Sequence, residues 1–175
     1  NEGVDSDNNG KIDSDSIASP GTAKNVITVG ASENNRPTIS YQNWGSGADD
    51  WGEVWPGDYP TDPINSDHMA DNIDGMAAFS SRGPTDDGRV KPDISAPGTF
   101  ILSAKSRSTT DDGWAPYDSE YTYMGGTSMA TPLTAGATAL ILEHLNSNIG
   151  MTSPSSALVR TIFTVGADDM SGQYG

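Results

Sequence analysis

The sequence predicts an α/β fold, and three features carry that reading. Asn25–Ala31 (NVITVGA) is a short apolar, β-prone run of the kind found in a buried strand. From Thr131 to Leu145, the residues Leu133, Ala137, Leu140, Ile141 and Leu145 recur at helical spacing. Further short strands are expected at Met76–Ser80, Asp93–Ala96 and Phe100–Ala104, so strands alternate with helices.

The remaining segments follow in order. Residues 1–18 are polar and acidic and read as loop. Residues 41–75 hold Trp44, Trp51, Trp55 and Tyr59 among acids, glycines and prolines without any period, which predicts a long surface insertion. A turn at Gly83–Gly88 separates two of the strands, and Ser108–Asp118 is a loop carrying Trp114. Tyr121–Met124 leads into the long helix, expected over about 128–146. Ser153-Pro154 reads as an N-cap and first-turn proline, starting a last helix that runs to about Val165.

Composition narrows the function classes. A chain of 175 residues fits one domain with a sizeable core. Its net charge of −15 argues against nucleic acid, whose phosphates require clustered Lys and Arg. Such an acidic excess suits a solvated surface, calcium binding or salty surroundings. There is no cysteine, hence no disulfide framework, and no apolar run approaches a membrane span.

The chemistry concentrates in Gly125-Gly126-Thr127-Ser128-Met129-Ala130-Thr131-Pro132. Paired glycines permit backbone angles that a side chain forbids. Ser128 then stands at the start of the long helix, where free N–H groups and the helix dipole favour developing negative charge. An acyl-transfer nucleophile needs that environment, although an ordinary serine cap would look similar. A serine also needs a base, normally a histidine oriented by a carboxylate. His144 lies sixteen residues further along the same helix, roughly 24 Å away at 1.5 Å per residue, and His68 sits in the acidic insertion. Neither fits the role of base.

The string GGTSMATP resembles the nucleophile motif of the subtilisin-like serine proteases. Other stretches agree in the family's order: Phe79-Ser80-Ser81-Arg82-Gly83-Pro84, Lys91-Pro92-Asp93-Ile94-Ser95-Ala96-Pro97-Gly98, and the turn and strand from Ser19 to Ala31. The resemblance implies part of a three-layer α/β sandwich with a mostly parallel sheet, residues 1–175 being the C-terminal portion of a catalytic domain. It implies a secreted endopeptidase of broad specificity, akin to the larger bacterial alkaline proteases. Ser128 would be the nucleophile and Asn1, in Asn1-Glu2-Gly3, the side-chain donor to the oxyanion. Thr127 would assist that site, and Ala18 would floor the pocket for the substrate side chain. The family's Asp and His precede its Ser, so both are expected upstream of this sequence, and the isolated chain is expected to be inactive. Its partners would be protein or peptide substrates and the upstream part of the same domain. The sheet edge left open by that missing part could instead pair two copies into a dimer.

Asp5-Ser6-Asp7-Asn8-Asn9-Gly10-Lys11-Ile12-Asp13 matches the first nine positions of an EF-hand-type loop. Asp5, Asp7 and Asn9 would bind calcium through side chains, Lys11 through its carbonyl, and Asp13 directly or through water. Ser16 replaces the usual bidentate Glu, and Asp15 could supply the missing carboxylate. Two readings from other classes compete: a non-catalytic calcium-stabilised binding module or pseudoenzyme, and a glycan-binding surface using Trp44, Trp51 and Trp55.

Overall fold

The computed structural model describes residues 3–42 and 47–171. Two strands, β1 (Val29–Ser32) and β2 (Ile94–Pro97), pair in parallel with Val29 opposite Ile94 and Ser32 opposite Pro97. A helix packs across this pair, completing the α/β arrangement read from the sequence. That helix, α2 (Thr127–Ser147), starts and stops within one residue of the expected bounds. The last helix, α3 (Ser156–Gly166), begins later than expected, because Ser155 and not Ser153 is its cap. The Ser155 hydroxyl accepts the Leu158 N–H at 3.2 Å.

A second sheet is antiparallel, in the order β3 (Ile101–Ala104), β5 (Tyr121–Met124), β4 (Ala115–Pro116). The described strands therefore divide between one parallel pair and one antiparallel sheet, consistent with the partial subtilisin-like α/β fold that the resemblance implies. Met76–Ser80, expected as a strand, is a turn touching β1 through a single bridge between Met76 and Ser32. Its strand-like apolar run has another cause. Ala77, Ala78, Phe79 and Ser80 are all buried, and the Ser80 hydroxyl accepts the Ala31 N–H at 3.0 Å.

Residues 41–75, expected as an insertion, pack onto the domain and supply much of the core. Trp51, Ile64, Met69 and Ala70 are wholly buried. Trp51 heads a one-turn helix, α1 (Trp51–Val54), and stacks on Trp55 at 5.9 Å between ring centroids. Phe79 meets Trp51 edge-on at 5.5 Å and Trp114 at 5.9 Å, joining the stretch to the antiparallel sheet. Aromatic edge-to-face packing of this kind adds to plain area burial.

The α2 helix has no charged residue from Thr127 to Leu142 and carries apolar side chains on every side, yet only Ala130 and Thr134 of its 21 residues are buried. Leu133, Leu140 and Leu142 stand exposed. A helix without a polar face belongs in a protein interior, and parallel strands are likewise covered on both faces in complete domains.

Candidate active site

Ser128 is the second residue of α2 and is exposed. The turn before it is held at both ends. The Gly126 N–H donates to the Gly98 carbonyl at 2.8 Å, and the Gly126 carbonyl accepts the Met129 N–H at 2.9 Å. Gly126 itself has φ of 140°, a conformation open to glycine and rarely to other residues. The first N–H groups of a helix have no partner within it, and among the described residues the Ser128 N–H bonds to no acceptor. At the other end of this turn, Pro132 lacks the N–H that would bond the Ser128 carbonyl four residues back. The serine thus sits in a turn fixed from outside the helix.

Ala18 and Thr127 line one cavity of 160 Å³, together with Ile17, Gly21, Thr28 and Val29. The residue expected to floor the substrate pocket and the one expected to assist the oxyanion are therefore adjacent, one residue from Ser128. Asn1 lies outside the described residues, as does Trp44.

The two histidines are both engaged elsewhere. His68 accepts the Ala70 N–H at Nδ1 at 3.0 Å, its Nε2 is buried, and its backbone pairs with Asp50. His144 sits 2.8 Å from the Asn148 amide, four turns or more from Ser128 along α2. Neither ring is presented to the serine.

The acidic loop wraps around Asp5, which is wholly buried. Asp5 accepts the Asn9 N–H at 2.9 Å and the Gly10 N–H at 3.0 Å. Asn8 and Gly10 have positive φ, giving the sharp turn such a loop needs. Its other side chains bond one another. Asn9 donates to Asp7 at 2.8 Å and accepts the Lys11 N–H at 2.8 Å, while Asp13 receives the Ser6 hydroxyl. Asp15 has a positive φ and hangs its N–H on the Gly83 carbonyl at 3.2 Å. Among the described residues no three acids or histidines are gathered as metal ligands. The oxygen-only donor set and the bent backbone suit a hard cation, whereas the side chains do not converge on one point.

The model of the subtilase family matches residues 2–175. The chain belongs to the subtilase family. Among its relatives, this subtilase is 40% identical over 135 residues to the serine protease AprX of Bacillus subtilis (strain 168), covering 75% of the chain and 24% of AprX. It is 38% identical over 117 residues to the serine protease/ABC transporter B family protein tagB of Dictyostelium discoideum, covering 59% of the chain and 6% of tagB. With the subtilisin-like protease SBT3.10 of Arabidopsis thaliana it shares 39% over 100 residues, covering 56% of the chain and 12% of that protein. The chain spans about a quarter or less of the length of these relatives.

One arrangement in this subtilase escaped sequence reasoning. Asp93, in the Lys-Pro-Asp run, is bonded by Lys91 Nζ at 2.5 Å, by the Thr28 N–H at 2.8 Å and by the Arg160 guanidinium. Arg160 also reaches the Lys24 carbonyl at 2.6 Å. This buried network ties β2 to the approach of β1 and to α3. Burial alone would raise the Asp93 carboxyl, but the Lys91 hydrogen bond and the surrounding N–H and cationic groups hold it below the usual range. The one sequence signal was a Lys and an Asp two residues apart.

Proposed function

We propose that Ser128 is the nucleophile of a serine endopeptidase whose Asp and His come from chain preceding this sequence. The observation that carries the reading is an exposed serine at the start of α2 with an unengaged N–H, set in a turn braced by Gly98. In this reading Ser128 Oγ attacks the peptide carbonyl as the external histidine takes its proton. The oxyanion then meets the Ser128 N–H and the side chain of Asn1. Collapse of that intermediate expels the amine, leaving an acyl-serine that water hydrolyses. The cavity between Ala18 and Thr127 holds a substrate side chain beside the scissile bond.

The upstream part of the same domain covers α2 and the open edges of β1 and β2. Support comes from the exposed leucines of α2 and from a two-stranded parallel sheet too small to stand alone. A second copy pairing on the same edge is the competing outcome, which size-exclusion chromatography separates. The loop from Asp5 to Asp15 takes a structural calcium ion in this reading, supported by its spacing of oxygen donors around the Gly10 turn. No described helix is long and apolar enough to cross a membrane. We place the protein outside the cell, as its acid-rich surface suits free solution, and activity in the medium against that in the lysate checks the placement.

Fluorophosphonate labelling tests the chemistry. The chain alone should label slowly, and addition or fusion of the upstream segment should raise labelling at Ser128, with Ser128→Ala silent. Full-rate labelling of the chain alone would show that the base lies within it. No labelling in either form would leave a non-catalytic binding module.

A further inference from the structure

Three residues before Ser128, Gly125 opens onto a second cavity, of 250 Å³, walled by Trp55, Tyr59, Phe79 and Trp114 with Asp58 at its side. The two cavities thus meet the same turn at its two ends, Gly125 on this one and Thr127 on that of Ala18. At 250 Å³ it falls below the ~300–1,000 Å³ of small-molecule sites, a size for one side chain and not a whole ligand.

The walls are rigid. Trp55 lies 5.7 Å from Trp114 and 6.4 Å from Tyr59 between centroids, and Phe79 lies 5.9 Å from Trp114. The Tyr59 hydroxyl donates to the Gly3 carbonyl at 3.0 Å. Asp58 is fixed by its backbone, its N–H bonding the Trp55 carbonyl at 3.0 Å and its carbonyl accepting the Asp5 N–H at 2.9 Å. The Asp58 carboxylate is exposed and makes no ion pair among the described residues. Burial, and then the Asp58 charge, push the Tyr59 phenol above its ordinary range against the opposing pull of the Arg82 guanidinium, so that wall stays neutral, and Asp58 is the one acid among the described residues that line the cavity.

Aromatic faces and one free carboxylate together select a cation. A ring face attracts a cation within about 6 Å. A planar guanidinium can also stack on indole, which an ammonium cannot. An acidic side chain would meet Asp58 in a chain of net charge −15. We propose that this pocket takes a basic side chain, arginine above lysine, from the peptide presented to Ser128. The word "peptide" rests on the protease reading, but the cation preference does not. Two of its walls, Trp55 and Tyr59, with Asp58, come from the 41–75 stretch, which gives that stretch a part in selecting substrate.

Binding to the chain assembled with the upstream segment tests it, read by tryptophan fluorescence and by indole N–H shifts. The probes are N-acetyl-arginine amide, its lysine and leucine counterparts, and N-acetyl-glutamate amide. Arginine amide should bind tightest and glutamate amide weakest. Asp58→Asn, an exposed change that spares the fold, should weaken arginine amide by roughly two- to five-fold at low salt. Trp55→Leu should erase the preference of arginine over leucine. Equal binding of arginine and leucine amides, or no effect of Asp58→Asn, overturns the proposal. Ser128→Ala should bind all four probes as the parent does, so failure of serine labelling and failure of this pocket are read separately.

Discussion

The indole of Trp114 lies against Gly125 so closely that a Cβ at Gly125 would stand 2.2 Å from its Cη2 and Cζ2 atoms. Other contacts brace Trp114 away from the cavity it shares with Gly125. Phe100 meets it edge-on at 5.2 Å, and its backbone bonds Tyr123 and Gln42, each at 2.7 Å. The turn that presents Ser128 is therefore pressed against an aromatic core that residues 41–75 help to build.

Gly125→Ala should destabilise the chain by about 1–3 kcal/mol, the usual range for overpacking in a well-packed core. It should also lower Ser128 labelling in the assembled domain. Gly136→Ala, on α2 with nothing within 4 Å of the new methyl, should instead stabilise by up to about 1 kcal/mol. Urea denaturation of both variants measures the contrast. Equal midpoints for the two would show that the Trp114 contact is not rigid.

How much of this was legible beforehand follows from what local patterns encode. The bounds of α2 could be read because a long apolar period and paired glycines are local signals. Ala18 and Thr127 came together only through the family resemblance, since 109 residues separate them in sequence and no period connects them. The turn at Met76–Ser80 was misread because burial, not strand pairing, sets its apolar run. Trp51 and Trp55 looked like insertion residues, as aromatic pairing with Phe79 and Trp114 is non-local and leaves no spacing to find. Arg160 was invisible as the partner of Asp93 for the same reason.

Glu33 gives a pH-dependent prediction. It follows β1, is 1% exposed, and accepts the Asn72 N–H at 3.3 Å, with Oε1 facing the Trp51 indole without a well-formed bond among the described residues. Burial, then the Asp67 carboxylate, push its carboxyl up to about 8. A folded-state value above the unfolded one means the folded chain holds the extra proton. The stability it contributes is complete below about 4.5 and is lost as pH rises through about 8. Glu33→Gln stays neutral throughout, so its stability should fall less over that interval, by a few kcal/mol, roughly 3–5. Denaturation at pH 5 and pH 9 measures this. Parallel pH curves for parent and variant would mean that Glu33 titrates normally.

Calcium removal should act on the loop of Asp5. With calcium present, a site that binds only the folded chain stabilises it by about 2.7 kcal/mol at one hundred times its Kd. Chelation should therefore lower the melting temperature, and readdition restore it. Asp7→Asn, at an exposed donor, should blunt the response while leaving the chelated chain unchanged. Magnesium should substitute poorly, since it demands a tighter octahedron. A melting temperature indifferent to calcium at millimolar concentration would leave the loop held by its own hydrogen bonds alone.

Asp93 should be the costliest single charge to remove. Its side chain is 4% exposed and that of Lys91 1%, whereas Arg160 is 35% exposed. Losing the carboxylate leaves the buried Lys91 ammonium on the neutral Val26 carbonyl and Thr28 hydroxyl, at 3.2 and 2.9 Å, without a counter-charge, and a broken buried pair costs about 3–5 kcal/mol. Asp93→Asn should approach that loss, because the amide can still accept the Thr28 N–H but cannot neutralise Lys91. Arg160→Gln removes a partner that water partly replaces and should cost under about 1 kcal/mol. The pH dependence takes the opposite sign to that of Glu33. Asp93 is held below its ordinary 3.8, so its contribution is present above that value and lost as pH falls through the lowered one. Asp93→Asn should thus lose less stability than the parent on acidification. Urea titrations at pH 7 and pH 3 on both variants and the double variant measure all three terms. Equal costs for Asp93→Asn and Arg160→Gln would show that the network is solvated and that Lys91 does not depend on Asp93.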